Sequence, residues 1–75
     1  GIHDGDLLVV DRSIEADVGM VVVAVVDGEF TVKRLAVAGE GMVLAAEHPG
    51  YEPIPIGPDT EVRIWGVVAA VIHRP

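Results

Sequence analysis

The chain has 75 residues, enough for one domain at most, and carries a formal net charge of −7. It has no Cys, which excludes disulfides, thiolate chemistry and Cys-based zinc sites. The negative balance argues against a surface that tracks phosphates or adheres to an anionic membrane.

Val and Ile supply 21 residues against four Leu and three aromatics, a balance that favours strands. Gly5-Asp6 opens a first strand, Leu7–Asp11, and Arg12–Gly19 is polar and irregular. Met20–Asp27 is apolar on both faces, which predicts a central, doubly covered strand. Asp27-Gly28 between two β-rich runs predicts a two-residue type I′ hairpin. Glu29–Leu35 returns, with Phe30, Val32 and Arg34 on one face and Thr31, Lys33 and Leu35 on the other. Ala36–Gly41 reads as a turn and Met42–Ala46 as a short strand. Glu47–Pro58 holds four of the five prolines, so it is extended and cannot supply a central ladder. Glu61–His73 is the last long strand, with Gly66 as a bulge or bend. No stretch sustains a helical apolar period. The expectation is a single all-β domain over residues 1–75 with a curled, barrel-like sheet. The last strand is expected to close the barrel or to pair with another subunit.

The longest apolar stretches, Val18–Val26 and Ile64–Ile72, have nine residues each, short of the roughly 17 a spanning helix needs. His3, Asp4 and Asp6 stand where a signal peptide would need a basic and then an apolar run. A cytoplasmic protein without membrane attachment is expected. The chain opens on Gly1-Ile2 rather than Met and reads as a fragment of something longer.

Among chemically capable residues, Lys33 comes first. It lies mid-strand beside an apolar hairpin partner, and desolvation disfavours an ammonium ion, which can fit a lysine for general-base work. Periodicity alone favours the other reading, an exposed lysine on an edge strand. Arg34, on the opposite face, reads as exposed. Ser13 is the one serine, but Val10–Glu15 lacks the Gly-x-Ser-x-Gly elbow of a nucleophile, and its polar context suits a turn or cap. Thr31 and Thr60 are no better placed. Asp4-Gly5-Asp6 does not continue into a Ca²⁺ loop and reads as a turn. His3, His48 and His73 lack metal-ligand spacing and read as surface residues. Phe30, Tyr51 and Trp65 do not interleave with basic residues, so base stacking has no support. Trp65 reads as core or as an interface anchor.

Taken together the motifs are more specific. Gly1-Ile2-His3-Asp4-Gly5-Asp6-Leu7-Leu8-Val9-Val10-Asp11 resembles the segment just after the nucleophile in the LexA/UmuD family of self-cleaving serine peptidase-like proteins. Asp27–Leu35 resembles that family's second motif, in which the Lys of a T-V-K-R/K-L strand is the general base of a Ser–Lys dyad. The resemblance therefore assigns the base to Lys33. His48-Pro49-Gly50-Tyr51-Glu52-Pro53-Ile54 is similar to the family's N/H-P-x-Y-x-P-I turn, and Trp65-Gly66-Val67-Val68 with its short tail to the final strand. The Val-Asp after the first strand, the Asp-Gly-Glu-Phe hairpin and the short tail are closer to the UmuD branch than to the LexA branch. One departure matters: the family's nucleophile lies in a G-D/N-S-M motif a few residues before the position of Gly1, and this chain does not contain it. Ser13 does not match it. The expectation is a fold truncated at its N-terminus, holding a base without its nucleophile and inactive alone.

The resemblance implies a parent that cleaves itself under stimulation by the RecA–single-stranded-DNA filament, then forms a homodimer that joins a translesion DNA polymerase. No cofactor and no metal is expected, and the acidic charge fits a protein partner in place of direct nucleic-acid contact by this domain. The alternative is the dimerising, self-cleaving half of a LexA-like repressor, with a helix-turn-helix domain upstream. A purely structural module and a membrane-bound signal peptidase of related fold are further readings, the last disfavoured by the lack of a spanning segment.

Overall fold

A computed structural model describes residues 2–47 and 49–74. It is an antiparallel sheet of β1 (Leu7–Asp11), β2 (Val21–Val26), β3 (Glu29–Ala38), β4 (Gly41–Ala45), β5 (Ile54–Pro55) and β6 (Val62–Ile72). Their spatial order is β1-β6-β2-β3-β4-β5. The expected all-β class holds. The sheet does not close into a barrel: β1 and β5 form its two edges.

Local chemistry explains the β2-β3-β4 meander. Asp27 and Gly28 both have positive φ, 50° and 84°, as a type I′ turn requires. The turn pairs Val26 with Glu29 and Val22 with Lys33. The second turn is narrower than Ala36–Gly41. Ala36, Val37 and Ala38 continue β3 against Val43, Met42 and Gly41. Their small apolar side chains do not interrupt a ladder, and the reversal falls on Gly39, at φ 63°. The proline-rich stretch contributes only the two-residue edge strand β5, on β4. Edge placement is where proline's missing donor is tolerated.

The last strand departs from expectation. Instead of closing a barrel or offering itself to another subunit, β6 lies inside the sheet, between β1 and β2. It is hydrogen-bonded on both flanks, and Gly66 and Val67 at its middle are its buried residues. Two irregularities fit it there. Against β2, Val23 pairs with Gly66 and Ala24 with Ile64, so Trp65 is the extra residue. Against β1, Val9 pairs with Ala70 and Val10 with Val68, so Ala69 is extra. Such bulges bend a strand and increase its twist. Gly66 is required by close approach. A Cβ there would lie 2.5 Å from Val10 Cγ1 and 3.3 Å from Arg12 Cγ.

The core joins Val22, Ala24, Leu35, Leu44 and Val67 across four adjacent strands, with Met20, Ile54 and Val62 packed around it. On β2, Val22, Val23 and Ala24 are all buried, as expected of a central strand covered on both faces. Trp65 is not core. It remains 37% exposed, with the Arg12 guanidinium 4.5 Å above its ring and Phe30 meeting it edge-on at 5.7 Å. Arg12 Nε also donates to the Trp65 carbonyl at 2.9 Å, which fastens the end of β1 to the bulge.

Carboxylates fix both ends of β1. The Asp6 side chain is almost wholly buried, and its Oδ2 accepts from the His3 backbone N–H at 2.7 Å and meets His73 Nδ1 at 2.8 Å. The His3 bond, with smaller help from His73, holds the Asp6 carboxyl below its ordinary 3.8 despite an opposing cost of desolvation. At the other end, Asp11 Oδ1 accepts from the Ser13 hydroxyl at 2.6 Å and the Ser13 N–H at 2.8 Å. These bonds, the hydroxyl's foremost, lower the Asp11 carboxyl as well.

Two outcomes follow. Gly66→Ala drives a methyl group into the stiff Val10 side chain, so urea denaturation should show a loss of about 1–3 kcal/mol. Val10→Ala in the same chain should restore part of it, and additive losses in the double variant would contradict the contact. Because the folded carboxyls of Asp6 and Asp11 titrate below their unfolded values, their stabilisation is full above about pH 5 and fades as pH falls through the folded values. Stability measured from pH 7 to pH 2 should drop below about pH 4, with a shallower acid limb in Asp6→Asn and Asp11→Asn.

Candidate active site

Lys33 reaches its position through the hairpin. The type I′ turn sets it opposite Val22, and Val22 is in turn opposite Val67. Residues directly across antiparallel strands share a face. Lys33 therefore projects from the face that carries the core, two residues before buried Leu35. Periodicity alone favours an exposed lysine on an edge strand; Lys33 is instead half-buried. β3 as a whole lies between β2 and β4, but its ladder with β4 begins at Arg34, so Lys33 itself pairs only with Val22 of β2 and keeps one unpaired flank. Burial of its stem against apolar neighbours with the amine at the margin is ordinary lysine behaviour.

The amine opens on a cleft of about 690 Å³, lined by Ile2, His3, Val21, Val32, Lys33 and Tyr51 among others. Lys33 Nζ lies 5.5 Å from the centroid of the Tyr51 ring, within the range of a cation–π contact. Arg34, exposed as expected, braces the rim. Its Nη2 lies 2.7 Å from Glu47 Oε1, and its Nη1 donates to the Gly19 carbonyl at 2.7 Å. The cleft's carboxylate is thus engaged by Arg34, and among the described residues Lys33 has no ion-pair partner.

Ser13 is not brought to Lys33. Its hydroxyl is held by Asp11 just beyond β1, which is separated from β3 by β6 and β2. Three strand spacings amount to roughly 14 Å. The cap reading of Ser13 is the one observed. Thr60 closes a local turn, donating to the Gly57 carbonyl at 2.8 Å and accepting from the Gly57 N–H at 3.0 Å. Thr31 shares the Lys33 face one pleat along.

His3 and His73, far apart in sequence, come together with ring centroids 5.6 Å apart, and both are exposed. The surface reading of His48 lies outside the described residues. Among the described residues no three His, Cys, Asp or Glu side chains stand close enough to hold a metal ion. Nor is any helix long and apolar enough to cross a membrane. Sequence reasoning missed the pairing of cations with aromatics, Arg12 on Trp65 and Lys33 on Tyr51, because the partners come from separate strands and loops. It also missed Ile2, His3 and Tyr51 as companions of Lys33. Only the P-x-Y-x-P turn hinted at Tyr51.

Comparison with known proteins is consistent with this frame. Residues 1–69 match the family model described as Peptidase S24-like. The chain is 49% identical to protein MucA of Salmonella typhimurium, across 99% of this chain and 51% of that protein. It is 42% identical to protein ImpA of the same organism, across 99% of this chain and 50% of that one. It is also 42% identical to LexA repressor 2 of Pseudomonas syringae pv. tomato, across 99% of this chain and 37% of the repressor. The chain thus spans about half or less of the length of these relatives. A family match over nearly the whole chain, and relatives from both its LexA and its UmuD-like branches, show that this chain belongs to the Peptidase S24-like, LexA/UmuD family.

Proposed function

We propose that this chain is the base-bearing, dimerising core of a UmuD-like protein that cleaves itself with a Ser–Lys dyad. The observation that carries the reading is the cleft shared by Lys33 with Ile2 and His3. In the family those two positions follow shortly after the nucleophile motif, so a serine a few residues upstream is within the chain's reach of the Lys33 amine.

The chemistry is that of a dyad. Neutral Lys33 accepts the serine proton as the oxygen attacks a carbonyl of the same polypeptide. The C–N bond breaks, the proton passes to the leaving amine, and water then hydrolyses the acyl-enzyme. Presentation of the cut segment by its own chain provides the proximity that lets a slow site act once. A RecA–single-stranded-DNA filament would act by favouring the cleavable conformer. The cleaved protein would dimerise in the cytoplasm and join a translesion DNA polymerase in the SOS response. The relatives named LexA repressor support a second reading, the self-cleaving half of a repressor. An upstream DNA-binding domain of roughly 60–80 residues would distinguish it from the short arm of a UmuD-like parent.

The test uses the native protein with about 40–60 upstream residues, within one domain's length. Intact mass followed at pH 7 and near pH 10, where lysine loses its proton, should reveal one internal cut that is faster at high pH. Lys33→Ala should slow it at least about 100-fold. Equal cutting in Lys33→Ala would remove Lys33 from the mechanism. Light scattering at micromolar concentration should give a dimeric mass, and a monomer would remove the dimerisation part of the proposal.

A further inference from the structure

The N-terminal segment beside Lys33 is tied down by a feature the dyad does not use. Asp6 Oδ2 accepts from the His3 backbone N–H at 2.7 Å and meets His73 Nδ1 at 2.8 Å. The Asp6 N–H donates to the His3 carbonyl at 3.1 Å, closing a tight turn through Gly5 at φ 86°. The His3 ring then lies 5.6 Å from the His73 ring, while Ile2 and His3 line the cleft. One carboxylate thereby joins the start of the described chain to the residue just past β6. The Asp6 side chain is 5% exposed, covered by its own partners, and that of His73 58%, so His73 is the accessible half of the contact.

We infer that Asp6 and His73 are positioning residues: together they form a clasp that seats the Ile2–His3 segment at the Lys33 cleft. The inference rests on the Lys33 reading above. Neither residue touches the reacting atoms. They act through the backbone of His3, whose placement sets where the chain immediately before it enters the cleft. An unrestrained segment would reach the amine in only a fraction of its conformers, and even about 1 Å of misplacement can cost a factor of about 100 in rate. Asp6 also caps a turn, so its replacement risks the fold. His73 is exposed enough to be exchanged with little effect on the fold.

The experiment follows self-cleavage in the full-length parent, with amide exchange at His3 measured on the same samples. His73→Ala should slow cleavage about tenfold, the order expected for one lost hydrogen bond to a charged group. The melting temperature should barely move, and His3 N–H exchange should quicken. His73→Asn, which keeps an N–H donor near the position of Nδ1, should recover most of the rate. Asp6→Asn should slow cleavage more than His73→Ala does, with the shape of the pH profile unchanged, since the clasp places the chain and does not hold the proton. A merely structural role predicts the reverse: a lowered melting temperature, no specific change at His3 and no rescue by His73→Asn. The clasp is overturned if the parent cuts itself, loses cutting in Lys33→Ala and is indifferent to His73→Ala. A parent that never cuts overturns the Lys33 assignment instead, and unchanged His3 exchange in His73→Ala would then overturn the seating on its own.

Discussion

Everything else in this molecule depends on β6 being held between β1 and β2. The β2-β3-β4 meander forms from neighbours in sequence, but it presents one flank of β2 unpaired until a strand from the far end of the chain arrives. β6 fills that flank and supplies the surface on which β1 lies. Its insertion needs a backbone that can approach β1 closely, and Gly66 allows it. Its two extra residues, Trp65 and Ala69, let one strand match two neighbours of different register. Without this strand the first ten residues would have nothing to pair with, and Ile2 and His3 would not come to the Lys33 cleft.

The strands were legible because their signals are local. Alternation, β-branched content and turn residues placed all the main strands to within a few residues, and Asp27-Gly28 announced its hairpin correctly. The turn after β3 is narrower than Ala36–Gly41 because two alanines flank Val37, and pairing with β4 rather than their own propensity decides their state. The position of β6 was not legible. A long apolar strand near a chain end has the same composition whether it lies at an edge, in a barrel seam or inside a sheet. What distinguishes these cases is its register with strands about 40 and 60 residues away, to which no local rule gives access.

The site divides along the same line. Residue types and motif order pointed to Lys33, and Asp11 with Ser13 behaved as a local cap because the bond spans two residues. Periodicity misjudged the exposure of Lys33, since how far β4 runs alongside β3, and which residues of distant loops cover the amine, are set by long-range pairing. Tyr51 and the Ile2–His3 pair reach the cleft from two segments far apart in sequence. Likewise, Asp6 and His73 are 67 positions apart, and no spacing rule connects them.

The setting of Trp65 makes the molecule its own spectroscopic gauge. It is the chain's one tryptophan, and it occupies the bulge where the end of β1 meets the hairpin. Arg12 lies over one side of the indole and Phe30 closes another. Detachment of β1 would carry Arg12 away and wet the ring without disturbing the meander core. Indole emission therefore reports seating of the edge strand separately from global unfolding, which the buried residues of β2, β3 and β4 govern. In a domain this small, that separates loosening at the margin from collapse of the whole.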